Sequence, residues 1–180
     1  MPSKPRVVVV GLGPAGADLL LPAARAALER VPVRLVRTAR HPAVDDLARD
    51  GIDLESLDLL YDHADDFDTV YAAIADRVVE TARERGEIVY AVPGSPTIAE
   101  RSVELVRAAG IDIELIPGIS FVDLAWWRLG IDPMHGARVI DGHAFAVDAP
   151  GETGGTVVGG TVVVPSRTVL GLGALGGVTS

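Results

Sequence analysis

The sequence predicts an α/β fold built on a mostly parallel five-stranded sheet with helices on both faces, and three observations predict it. Val7–Val10 is a continuous β-branched run ending in Gly, as expected of a strand buried on both faces, and Val33–Val36, Ile88–Val92 and Ile111–Ile116 read as further strands. Amphipathic helical patterns separate them, which calls for parallel strands joined by covering helices. Loops rich in Gly and Pro leave several of the runs at their carboxyl ends.

The elements follow in order. Val7–Val10 runs into "GLGPAG", where Gly11, Gly13 and Gly16 have G-x-G-x-x-G spacing. Pro22 marks the first turn of the next helix, because proline is favoured there and costs about 3 kcal/mol in a helix interior. That helix is expected near Leu21 and over Pro22–Arg30. Val33–Val36 runs into "RTARHP", and His41-Pro42 leads into a helix over Ala43–Asp50. Acidic "YDHADDFD", residues 61–68, precedes a helix over Phe67–Arg85 that Gly86 ends. Ile88–Val92 runs into "VPGSPTIAE". There Thr97 and Glu100 have capping-box spacing for a helix over Thr97–Ala109, while Ser95-Pro96 is a competing start. Gly110 ends that helix, and Ile111–Ile116 runs into "IPGISF". Ser120 and Asp123 then repeat the capping-box spacing for a helix over Ser120–Leu129, ended by Gly130 and Pro133.

The expected organisation is an α/β domain over residues 1–136, the start of a second domain over 137–149 and an atypical tail over 150–180. Arg138–Asp141 and Ala144–Val147 read as short strands. The Gly-, Thr- and Val-rich tail reads as poorly structured, or as strands lacking their natural neighbours.

Composition excludes several classes. The 180 residues carry a net charge of −9, which disfavours nucleic acid and anionic membranes as partners. With Cys 0, disulfides, thiolate metal sites and Cys nucleophiles are excluded. Val7–Val10 is too short for a signal-peptide core, and Pro165, Ser166 and Arg167 interrupt the apolar stretch Thr156–Val178. A cytoplasmic protein with no membrane span is expected.

The glycine turn admits more than one chemistry. A dinucleotide fold would place the third Gly inside a helix that faces the pyrophosphate, yet Pro22 displaces the helix start beyond Gly16. Val33–Val36 also lacks a following acid for a ribose, although the basic "RTARHP" would suit a 2′-phosphate. The plain structural alternative is a tight strand exit that needs small residues. Three such loops leaving one sheet edge favour a compact ligand, such as an adenosine with a short polar tail. Arg37, Thr38, Arg40 and His41 at the same edge suit substrate carboxylates or phosphates, or else are solvated or paired with Asp45 and Asp46.

Other constellations read as structural. Asp62, Asp65, Asp66 and Asp68 resemble hard-metal ligands but lack the Gly and terminal Glu of a calcium loop, so they read as helix N-terminal acids. No metal is expected. Asp76, Glu80 and Glu84 form an acidic stripe interleaved with Arg77, Arg83 and Arg85, which fits a solvated face. Trp126 and Trp127 read as core or dimer packing, and His63, His135 and His143 receive no role.

"VVVVGLGPAGADLLLPAARAAL", "RTARHPAV", "DDFDTVYAAIADRVVETARERGEIVYAVPGSPTIAERSVELV" and "IPGISFVDLAWWRLGIDP" together resemble the tetrapyrrole (corrin/porphyrin) methylase superfamily. The likeness covers roughly residues 6–147, and "RTARHP" and "YAVPGSP" point to the methylase-like domain at the N-terminus of MazG/YabN-type proteins. It implies a two-domain α/β homodimer that binds S-adenosyl-L-methionine in a cleft and methylates a small-molecule acceptor. The implied cofactor residues are Leu12, Gly13, Pro14 and Gly16 in the first loop, Gly94, Ser95 and Ile98 in the second, and Ser120 and Phe121 in the third. Arg37, Thr38, Arg40 and His41 would meet the substrate. Family members carry Gly-Asp-Pro where this chain has Gly94-Ser95-Pro96, and their second domain has no counterpart in residues 150–180. The second domain is therefore expected to be largely missing. Two further functions are weighed beside methyl transfer: a non-catalytic ligand-binding or dimerisation module of a MazG-type nucleoside triphosphate pyrophosphohydrolase, and that hydrolytic activity itself.

Overall fold

The computed structural model describes residues 4–61, 66–135, 137–141, 161–165 and 170–171. The chain divides into two compact units, Met1–Phe121 and Val122–Ser180.

The first unit holds a five-stranded sheet of β1 (Arg6–Gly11), β2 (Arg34–Val36), β3 (Glu55–Ser56), β4 (Glu87–Val92) and β5 (Asp112–Ile116), in the order β3-β2-β4-β1-β5. Every pairing is parallel. The connecting helices are α1 (Pro22–Arg30), α2 (Pro42–Arg49), α3 (Phe67–Arg85) and α4 (Arg101–Ala108).

The run of valines in β1 divides by the period of two that a strand imposes. Val8 and Val10 pack with Ala24 and Leu28 of α1 and Ala43 and Leu47 of α2. Val7 and Val9 pack with Ile74 and Val78 of α3 and Val103 and Val106 of α4. Each fully buried Val or Leu stabilises the fold by about 1.5–3 kcal/mol relative to exposure, so β1 is a principal anchor. Among the described residues, no helix is long and apolar enough to cross a membrane.

Local chemistry sets most boundaries as expected. Pro22 opens α1, and the glycine turn reaches it through a short 3-10 turn at Ala17–Leu19. Gly86, Gly110 and Gly130 all take positive φ (88°, 69° and 63°), the conformation that ends a helix without Cβ strain. Asp66 caps α3 by accepting the Thr69 N–H at 2.8 Å and the Thr69 hydroxyl at 2.9 Å, which accounts for its place in the acidic segment. Asp62, His63 and Asp65 lie outside the described residues.

One boundary is corrected. The helix expected to begin at Thr97 begins at Arg101, and Glu100 makes no side-chain cap. Ala99 sits at φ 53°, where a helix cannot pass through, and the Glu100 carboxylate is drawn into the interior instead.

α5 (Phe121–Leu129) starts on the last residue of the first unit, and from Val122 it belongs to the second and ends at Gly130. β6 (Ala137–Asp141), β7 (Thr161–Pro165) and β8 (Leu170–Gly171) form an antiparallel sheet in that order. The strand expected over Ala144–Val147 lies outside the described residues, as does most of the tail after residue 150.

Candidate functional site

The candidate site lies in the first unit, at the carboxyl edge of the parallel sheet, where open α/β sheets place their ligands. Three loops leave β1, β4 and β5 there, and the structure brings them into contact. Leu12 N–H donates to the Val92 carbonyl at 2.8 Å. Gly13 and Gly94 exchange both backbone hydrogen bonds, with Gly13 N–H to Gly94 O at 3.1 Å and Gly94 N–H to Gly13 O at 2.8 Å. The third loop touches both: a Cβ built on Gly11 would lie 2.5 Å from the Gly94 carbonyl oxygen and 2.7 Å from the Gly118 Cα. Only glycine permits that approach.

The opposite condition holds on the free side of the second loop. Gly94 has φ +64° and nothing lies within 4 Å of the position its Cβ would take. That side of the loop is open space, and the neighbouring donors and acceptors are backbone groups and hydroxyls. Ser95 is half-buried, with its hydroxyl 3.2 Å from that of Thr97. Ile98 and Phe121 are partly exposed, at 42% and 37%, while Ser120 is buried. Pro14 and Gly16 are half-buried. The Leu12 side chain is fully buried in the α1–α2 core, so it anchors the first loop and leaves only backbone for a ligand.

α2 holds the first loop from outside. His41 accepts the Ala43 N–H at Nδ1 (3.3 Å) as the helix cap. Its Nε2 lies 3.0 Å from the Gly13 carbonyl, which can only accept, so the imidazole is neutral with its proton on Nε2. Burial and the nearby Arg37 hold the His41 pKa below its ordinary value, against the raising effect of the Gly13 bond. Asp46 accepts the Ala17 N–H at 2.9 Å and pairs with Arg49, and that amide bond leads in lowering its pKa.

A buried polar cluster that the sequence did not single out lies behind the second loop. Glu100 Oε1 accepts from the Ser102 hydroxyl at 2.7 Å, which itself lies 2.7 Å from the Tyr90 hydroxyl. Glu100 Oε2 is 3.5 Å from Arg37 Nη1, while Arg37 Nε is buried without a hydrogen-bond partner. Burial pushes the Glu100 pKa up, opposed by Arg37, and burial likewise pushes the Tyr90 phenol up. Tyr90 within the otherwise apolar "IVYAV" was the available sequence signal.

The expected substrate residues therefore separate. Arg37 is committed to Glu100 and not to Asp45 or Asp46. Both His41 nitrogens are used within the protein. Thr38 Oγ1 accepts the Arg40 N–H at 3.1 Å, and the Arg40 side chain is exposed. Among the described residues, no group of three or more His, Cys, Asp or Glu is arranged to hold a metal.

Residues 6–158 match the family described as Tetrapyrrole (Corrin/Porphyrin) Methylases. "Uncharacterized protein YabN" of Bacillus subtilis (strain 168) is 33% identical over 147 residues, covering 79% of this chain and 30% of the relative. Among solved structures, the uroporphyrin-III-C-methyltransferase of Thermus thermophilus shares 30% identity with TM-score 0.54, covering 74% of this chain and 57% of that one. The methyltransferase CobJ shares 26% identity with TM-score 0.52, over 73% of this chain and 54% of that one. The chain thus spans under a third of the curated relative and somewhat over half of these two enzymes.

Proposed function

The chain belongs to the tetrapyrrole (corrin/porphyrin) methylase family, and from that membership we propose that it transfers a methyl group from S-adenosyl-L-methionine to a small-molecule acceptor. The observation that carries this reading is the meeting of the three loops around Gly11, Gly94 and Gly118, with open space beside Gly94. A glycine-lined edge with backbone and hydroxyl partners suits a compact, phosphate-free nucleoside. The turn at Ala17–Leu19 also sets α1 back from the glycines, which removes the helix N-terminus a pyrophosphate would need.

The cofactor would supply a methyl group that is already activated, so the protein's task is to orient reactants and exclude water. In this reading Gly13, Pro14, Gly16 and the Leu12 backbone form one wall of the cofactor site. Gly94, Ser95 and Ile98 form the second, and Ser120 and Phe121 the third. Arg40 offers the acceptor an exposed cation at the rim, which favours an acceptor bearing carboxylates, while the Thr38 hydroxyl is held by the Asp58 carboxylate. Arg37 acts from behind through its pair with Glu100. We take the active form to be a homodimer in the cytoplasm, and the exposed Trp127 supports the dimer at 72% exposure.

The second reading is a domain that binds the cofactor without transferring methyl. Ser95 favours it, since residues 93–99 present no carboxylate. Titration calorimetry with S-adenosylmethionine, followed by mass spectrometry of carboxylated tetrapyrrole acceptors, separates the two. Binding with methylated product is expected; binding alone supports the second reading, and no binding contradicts both. Gly94→Val should abolish binding by filling the open space.

A further inference from the structure

We propose that His41 is a positioning residue for the first loop, fastening the Gly13 carbonyl to α2 and so fixing the spacing between the first two loops. The inference rests on the reading of those loops as the cofactor site, and it gives His41 a role other than contact with substrate.

Three segments meet at the Gly13 carbonyl. It accepts the Gly94 N–H at 2.8 Å and the His41 Nε2–H at 3.0 Å, so one oxygen ties together the first loop, the second loop and α2. The other ring nitrogen accepts the Ala43 N–H at 3.3 Å, which leaves the half-buried imidazole no proton to offer a ligand. α2 is a firm support because Ala43, Val44 and Leu47 are all buried in the core. It grips the same loop a second time, where Asp46 accepts the Ala17 N–H at 2.9 Å. The loop between these two points includes Gly13 at φ +78°, a conformation that needs external support to persist as a single geometry.

The two ring nitrogens can be imitated separately. In His41→Asn the short side chain keeps a good helix cap but falls short of Gly13. In His41→Gln the longer amide restores a donor near the Nε2 position. The expected result is that Asn weakens S-adenosylmethionine binding at least tenfold by calorimetry while Gln stays within about threefold of the unchanged protein. At saturating cofactor, the acceptor KM should be the same in both. Unchanged cofactor affinity in the Asn variant, or a raised acceptor KM with cofactor affinity intact, overturns the proposal.

Hydrogen exchange keeps the test independent of the cofactor assignment. Without ligand, the Gly94 amide should exchange faster in the Asn variant than in the Gln variant, and equal rates overturn the proposal even if the protein binds no cofactor. Should the Asn variant not fold, the 15N shifts of the His41 ring in the unaltered protein decide. The Nε2–H tautomer is expected, and the Nδ1–H tautomer overturns the assignment.

Discussion

The two ends of β1 solve different problems with the same neighbours on either side. At the amino end, parallel register sets Arg6 opposite Glu87 of β4 and Asp112 of β5. The guanidinium lies 2.6 Å from Glu114, 3.7 Å from Glu87 and 4.0 Å from Asp112, with its side chain 40% exposed. At the carboxyl end, the same strand finishes in Gly11, pressed against the backbones of Gly94 and Gly118. A half-buried guanidinium among three carboxylates, its Nε buried without a hydrogen-bond partner, holds one end, and the absence of side chains shapes the other. A half-exposed ion pair can be removed at modest cost, whereas a close backbone approach cannot absorb even one methyl group.

That contrast can be broken or sharpened experimentally. The largest effect is expected for Gly11→Ala, whose Cβ would sit 2.5 Å from the Gly94 oxygen. A loss of about 3 kcal/mol in urea unfolding should accompany loss of S-adenosylmethionine binding, because the loops must part. Glu100→Gln comes next: it leaves Arg37, largely buried, without its counter-charge, and should cost about 2 kcal/mol by the same unfolding assay. Converting Arg37 to Met and Glu100 to Leu together should recover most of that stability, since a buried pair can be replaced by packed apolar groups.

Acidification should produce a smaller change. The His41 pKa lies below the 6.5 of a free imidazole, so the unfolded chain binds the proton first. Its stabilising contribution is complete above pH 6.5 and is lost as pH falls through the folded pKa. Urea midpoints measured from pH 7.5 down to 5 should therefore fall for the unaltered protein and fall less for His41→Asn. The smallest effect belongs to Arg6→Ala, expected to cost about 1 kcal/mol or less and to leave cofactor affinity unchanged. A large loss of binding there would erase the distinction between the two ends.

Much of this was legible in the sequence because it is local. The valine run of β1, Pro22 at the start of α1, the Asp66 cap and the left-handed glycines that end helices all follow from nearest-neighbour chemistry. β3 escaped notice because Glu55–Ser56 is two residues with no apolar pattern, held by pairing with Leu35 and Val36. The start of α4 was misplaced because Glu100 satisfies a capping pattern on paper while its carboxylate is buried against Ser102 and Arg37. That cluster joins β2, β4 and α4, which no spacing rule connects. The glycine turn lay between these cases: its small residues were visible, but their reason is contact with Gly94 and Gly118 from distant loops.

The central claim is that three separate strand exits act as one binding edge. Hydrogen-exchange mass spectrometry of the intact chain, with and without saturating S-adenosylmethionine, tests it most directly. Simultaneous slowing across 12–16, 94–98 and 118–121, with the amino ends of the strands unchanged, is the predicted result. Slowing confined to one of these segments, or located elsewhere in the chain, would contradict it.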